Sequence, residues 1–327
     1  MPLRDPVLYP PFNVVRVSHV EYGATDLEHS KAWWVDTLGF VLTEQTADAL
    51  YLRGLEERNH HSVVLRKSAH PHAASLGFKV YSEADLDIAF RHFSGLGLSP
   101  RWTREPFQGR TLAVRDPVGT PLEFYFEMVQ VESRLRRYGE YKGARIQRID
   151  HVNCFSPDIQ RSHDFYNAMG FRTSEYTAAE GTDDLWAVWM HRKGNVHDMA
   201  LTNGRGPRLH HVGVWVPGAL DIIHVCDLLA TTGWLHSMER GPGRHGISNA
   251  FFLYLRDPDG HRIELFNSDY LTCDPDLAPL RWDLRDARRQ TLWGAPAPKS
   301  WFEEGSLFPG VALADSVFTS GEPIVAP

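Results

Sequence analysis

Cysteine is scarce: Cys154, Cys226 and Cys273 are the only three in a chain of 327 residues. They are too few and too scattered for a disulfide framework or a zinc knuckle, and Cys154 and Cys226 lie in apolar runs where free thiols pack. Long hydrophobic runs are missing too. No window approaches the roughly 20 apolar residues a membrane-spanning helix needs, and the opening MPLRDPVLYPPFNVVRVSH has no uninterrupted apolar segment of the secretory kind. A cytoplasmic protein without a membrane partner is expected. A basic field is also lacking. The formal charge of -7 offers nothing to attract a phosphate backbone, so nucleic acid is excluded as a partner. What is plentiful is histidine, 17 residues, which directs attention to metal ligands.

The chain repeats itself. HVEYGATDLEHSKAWWVDTLGFVL from His19 aligns with HVNCFSPDIQRSHDFYNAMGFRTS from His151. Each copy has an apolar strand carrying His-Val, an Asp seven residues on (Asp26, Asp158) and a helical pattern ending at Gly-Phe. In the second copy Ser156 reads as the helix N-cap, Pro157 as its first residue and Gly170 as its end. Each repeat divides again. RDPVGTPLEFY from Arg115 and RDPDGHRIELF from Arg256 are matching hairpin turns that lead into strands carrying Glu123 and Glu264. The fold class expected is α+β, with four βαβββ units. Residues 1–130 form one domain, 131–147 a charged linker and 148–268 a second domain. The tail, 269–327, carries Trp282, Trp293, Trp301 and Phe302; it is too apolar to be left in water and is expected to fold back as a cover.

His151, His211 and Glu264 fall on strands at equivalent places of paired units. Two neutral imidazoles and a carboxylate around a divalent ion leave the opposite face open, as in non-haem Fe(II) oxygenases. The first repeat supplies a control. His19 matches His151 and Glu123 matches Glu264, but Ser75 stands opposite His211, and a hydroxyl cannot replace an imidazole there. One metal per chain, in the second domain, is expected.

HHVGVW, ERGPGRHGISNAFFLYLRDPDGHRIELF and the Trp-rich tail resemble the extradiol ring-cleaving dioxygenases of the vicinal oxygen chelate superfamily, over nearly the whole chain from His19 to Phe302. Within that family the likeness is greatest to members that act on catechols of the 3,4-dihydroxyphenylacetate kind. The resemblance implies two tandem glyoxalase-like domains, Fe(II) or alternatively Mn(II) on His151, His211 and Glu264, and a carboxylated catechol and O2 as substrates. It implies an acid/base role for His197, since an imidazole with a pKa near 6.5 can take and return a catechol proton. It also implies that Tyr254 polarises the developing carbonyl. Asn153 shares a strand face with His151. Asn153, Trp189, Arg240 and His245 are the expected substrate contacts, and Arg240, Arg288 or Arg289 the cation for the carboxylate, with Arg289 preferred. A homotetramer is implied as well. Two alternatives use the same fold: a glyoxalase-like metal-dependent isomerase, and a non-catalytic protein that sequesters an aromatic compound.

Overall fold

Strands dominate, as the apolar and alternating runs require, and they fall into two sheets. The computed structural model describes residues 3–318. In the first sheet β1 (Val14–Ala24) leads into α1 (Leu27–Lys31), which continues as a π-helical segment, Ala32–Thr37, and then into β2 (Val41–Gln45), β3 (Ala49–Arg53) and β4 (Val63–Lys67). The order recurs in β5 (His72–Val80), α2 (Glu83–Gly95), β6 (Arg101–Arg104), β7 (Arg110–Arg115) and β8 (Pro121–Tyr125). The second sheet contains β9 (Arg148–Ser156), α3 (Ile159–Ala168), β10 (Arg172–Ala178), β11 (Leu185–His191) and β12 (Met199–Asn203). Its other unit is β13 (Arg208–Trp215), α4 (Ala219–Thr231), β14 (Met238–Arg244), β15 (Phe251–Arg256) and β16 (Arg262–Asn267). The architecture is the α+β one expected, with all four βαβββ units.

In each sheet two units join through their first strands, β1 beside β5 and β9 beside β13. That union sets the register of the site. His151 lies opposite Gly213 across the β9 and β13 pair, and Gly213 lies beside Glu264 on β16. In the first sheet His19 lies opposite Gly77, and Gly77 beside Glu123. Ser75 therefore occupies the place of His211.

The helix start differs from expectation. The N-cap of α3 is Asp158, not Ser156, and Pro157 precedes the helix instead of opening it. The Asp158 carboxylate accepts from Arg161 N at 3.0 Å, and an anionic oxygen suits the positive end of a helix better than a hydroxyl. Ser156 turns its hydroxyl to the Asp158 carbonyl and to Ser162. Asp26 caps α1 in the same way, so the repeated Asp is the cap in both copies.

The halves share one apolar core and a reciprocal pair of hydrogen bonds. Each hairpin turn ends at a positive-φ glycine, Gly119 or Gly260, and its leading Asp accepts backbone amides across the turn. The second oxygen reaches the other half: Trp34 Nε1 donates to Asp257 at 3.1 Å and Tyr166 OH to Asp116 at 3.3 Å. Trp34 and Tyr166 are equivalent in the repeat.

The tail folds over the second sheet. β17 (Leu280–Asp283) extends it beside β10, α5 (Lys299–Glu303) brings Trp301 down over the interior, and β18 (Ser306–Leu307) pairs with β13. Trp301 is 9% exposed, but Trp293 remains 52% exposed, so not every tail aromatic is covered. Residues 319–327 of the expected cover lie outside the described residues.

Tyr166→Phe removes only the hydroxyl that reaches Asp116 and should lower the free energy of urea unfolding by about 1–2 kcal/mol. An unchanged midpoint would show that the reciprocal bonds do not hold the halves together.

Candidate metal centre

Gly213 creates the space. A Cβ at this position would fall 2.1 Å from the His151 ring, so only glycine lets the imidazole lie across the neighbouring strand. The His151 ring then meets His211 from β13 and Glu264 from β16. The His151 Nε2 to His211 Nε2 distance is 3.3 Å, and Glu264 Oε2 lies 2.9 Å from the first and 3.2 Å from the second. Three cis ligands on bonds of ~2.1 Å stand ~3.0 Å apart. All three residues are buried, and they are the one such cluster among the described residues.

The other ring nitrogens decide whether these atoms can ligate. His210 Nε2 is 2.8 Å from the carbonyl of Trp301, an acceptor only, so Nε2 carries the proton and His210 Nδ1 is left as an acceptor. His211 Nδ1 lies 2.6 Å from that atom and must donate to it. The lone pair of His211 is thereby placed on Nε2, facing Glu264. His151 Nδ1 donates to Asp150 Oδ2 at 3.1 Å with the same result. Both imidazoles are held in the metal-binding tautomer by partners behind them, and the donor set fits a divalent iron or manganese ion.

Charge points the same way. Burial works against a His151 cation, but hydrogen bonds to Asp150 and Glu264 outweigh it and raise the group to about 9. Burial lowers His211 to about 4. Burial would raise Glu264, yet the two imidazoles hold its carboxyl well below the usual range. At neutral pH, without an ion, the three facing atoms of the trio therefore share a single proton, on the His151 side, which a dication would displace.

A cavity opens beside the trio, lined by all the expected contacts: Asn153, Trp189, His197, Arg240, His245, Tyr254 and Arg289. The His197 ring centre is 4.0 Å from that of His151; burial, then the neighbouring His151, keep it well below its ordinary value and neutral. Tyr254 OH is 2.9 Å from His245 Nε2, while His245 Nδ1 meets the Gln290 carbonyl. That carbonyl requires the proton on Nδ1, so Tyr254 donates to Nε2. Burial and Glu264 raise the phenol well above its usual range, keeping it protonated.

Thr202 Oγ1 donates to Asn153 Oδ1 at 3.2 Å, leaving the Asn153 NH2 for the cavity. Arg240 is 3% exposed, bonds Gln290 O and Thr291 Oγ1 through Nη2, and has no partner for Nε or Nη1. Arg289 is 1% exposed and lies over Trp186. Arg288, offered with them, is turned outward and paired with Asp286.

In the first half His19 Nε2 and Glu123 Oε2 stand 3.5 Å apart with Ser75 in the third place. They form no three-ligand group.

These features define a class. Residues 16–124 and 148–265 match the Glyoxalase/Bleomycin resistance protein/Dioxygenase superfamily, and the chain belongs to it. Among solved structures it is similar to homoprotocatechuate 2,3-dioxygenase from Arthrobacter globiformis, at 40% identity over 92% of this chain and 94% of that one, with a TM-score of 0.90. The Brevibacterium fuscum enzyme in complex with 3,4-dihydroxyphenylacetate is 38% identical over 96% of this chain and 99% of that one, also at 0.90. The manganese-dependent 2,3-dihydroxybiphenyl 1,2-dioxygenase of Geobacillus genomosp. 3 is 29% identical over 88% of this chain and 95% of its own length.

Sequence reasoning passed over Asp150, His210 and the Gln290 carbonyl. The first two adjoin ligands, in RIDHV and LHHVGVW, and the adjacency was the available signal. Nothing local marks Gln290.

Because the metal must displace the His151 proton, apparent Mn(II) affinity should rise about tenfold per pH unit between pH 6 and 8 and level off towards pH 9. A flat profile in chelator competition would contradict the assigned charges. Gly213→Ala should lower metal occupancy at least about tenfold, whereas Gly77→Ala should leave it intact.

Proposed function

We propose that the protein is an extradiol dioxygenase that adds both atoms of O2 to a carboxylated catechol of the 3,4-dihydroxyphenylacetate kind. The ring bond beside the diol breaks, giving a muconic semialdehyde. The observation that carries this reading is a buried His151, His211 and Glu264 trio facing a cavity that also presents two guanidinium groups. Fe(II) is the proposed metal and Mn(II) the alternative. When bound, it supplies the Lewis acidity that turns the diol into a chelating anion and the redox-active centre that O2 requires.

The chain's own groups do the rest. His197, neutral and with Nδ1 unpartnered, takes the second diol proton and returns it as the ring opens. Tyr254 stays a phenol, and its hydroxyl, which rests on His245 Nε2, turns its one proton to the substrate oxygen as charge develops there. The Asn153 NH2, left facing the cavity, would be a further donor to bound O2. Trp189 walls the ring. Arg240, through its free Nε and Nη1, and Arg289 hold the substrate carboxylate, with His245 bracing Tyr254 between them and the trio. Tail and second domain (148–268) thus supply every side chain that meets the substrate, and the first domain (1–130), joined by residues 131–147, holds no metal. A cytoplasmic homotetramer completes the proposal.

Anaerobic loading with Fe(II) followed by O2 and 3,4-dihydroxyphenylacetate should give a yellow ring-opened product with one O2 consumed per catechol. His211→Ala should lose both metal and turnover. His197→Gln should keep the metal and lose at least about a hundredfold in kcat. Metal-loaded protein that consumes no O2 with this catechol would refute the reading.

A further inference from the structure

His197 has no hydrogen-bond partner at Nδ1, so beyond its packing against the His151 ring its position is set by its backbone. That backbone belongs to the loop between β11 and β12, residues 192–198, and the loop is held by buried polar groups. Asp198, 0% exposed, accepts from four donors. Two are amides of its own loop, Arg192 N at 2.7 Å and Lys193 N at 3.2 Å. The third is Lys193 Nζ at 2.9 Å. The fourth is Val17 N at 2.9 Å, from β1 of the other sheet. Asn195 adds a bridge, donating to Asp150 Oδ2 at 2.9 Å and to the His197 carbonyl at 2.7 Å.

The first half holds the mirror image. Glu57, also buried, accepts from Gly54 N, Ser62 Oγ and Ile149 N. Ile149 stands two residues before His151, as Val17 stands two before His19. Each half thus buries a carboxylate that captures the same amide of the other. Only in the second half does the lock adjoin a histidine that faces a metal trio; its counterpart His61 lies beside His19, where no trio exists.

We infer that Asp198 is a positioning residue for ring opening: by tying the 192–198 loop to the Val17 amide it keeps the His197 ring over His151, and so makes the metal-free half a working part of the active site. The inference rests on the acid/base reading of His197. A displacement of about 1 Å in a proton-transferring group can cost up to a hundredfold in rate, and a carboxylate with four donors in a buried loop leaves little slack.

The test is a double-mutant cycle on the metal-loaded full chain with 3,4-dihydroxyphenylacetate. Asp198→Asn should lower kcat by on the order of tenfold while KM and metal content stay within about twofold. In a His197→Gln background the same change should cost less than about twofold further, because its target is gone. An equal loss in both backgrounds, or loss of metal, would overturn the proposal. Should Asp198→Asn fail to fold, Lys193→Met, which removes one of the four donors and with it the bond from Lys193 Nζ to the Asp150 carbonyl, enters the same cycle with the same expected pattern and the same twofold limit on metal content. Glu57→Gln, breaking the mirror lock, should lower Tm and leave kcat within about twofold; a kcat loss equal to that of Asp198→Asn would also overturn the claim. If His197→Gln alone leaves kcat intact, it is the acid/base reading that has failed, and the positioning claim with it.

Discussion

The contact between the His151 ring and Gly213 determines most of what this molecule can do. Strand pairing has a period of two, so a slip of one residue between β9 and β13 would turn His151 or His211 to the opposite face. The bare Cα of Gly213 lets one imidazole cross to the neighbouring strand and meet its two partners within 3.3 Å. A side chain here would separate the ligands even if every other residue were kept. The ladder does the rest, because Gly213 is also the register partner of Glu264.

Placing three polar groups in a dry interior is costly unless each is satisfied. The protein meets that cost from behind the site. Asp150 fixes His151, and the chain from the Trp301 carbonyl through His210 fixes His211. The second of these begins in the tail, so the segment that covers the cavity also sets a ligand's tautomer. The first half shows what remains when one ligand is absent: Gly77 and the crossing His19 ring persist, a Cβ there would lie 2.0 Å from the ring, and Glu123 retains His19 and Ser75 as hydrogen-bond partners. Burial alone would raise Glu123, but these contacts hold it low, so the carboxylate keeps partners without an ion.

The repeat and the metal trio were legible because they follow from periodicity. His19 with His151, Glu123 with Glu264 and Ser75 with His211 can be read by aligning the chain with itself, and strand register then converts equivalence into proximity. The helix start was misjudged because Ser156, Pro157 and Asp158 all carry capping chemistry, and only the fold shows which side chain faces the free amides. Between Arg288 and Arg289 the preference for Arg289 had no local signal to rest on, because adjacent residues diverge, one going to Asp286 and the other into the cavity. The contacts of Gln290 and the Trp301 carbonyl were beyond reach, since a backbone oxygen has no sequence signature and the tail has no period to place it. The crossed locks of Asp198 and Glu57 were hidden too, each joining residues more than ninety positions apart.

The central claim is that two imidazole Nε2 atoms and one carboxylate converge on one ion, in one half of the chain. Anomalous diffraction at the manganese or iron edge from crystals of loaded protein tests it directly. One peak per chain is expected, bonded to Nε2 of His151, Nε2 of His211 and Oε2 of Glu264. A second peak between His19 and Glu123, or a single peak bonded to other atoms, would contradict it.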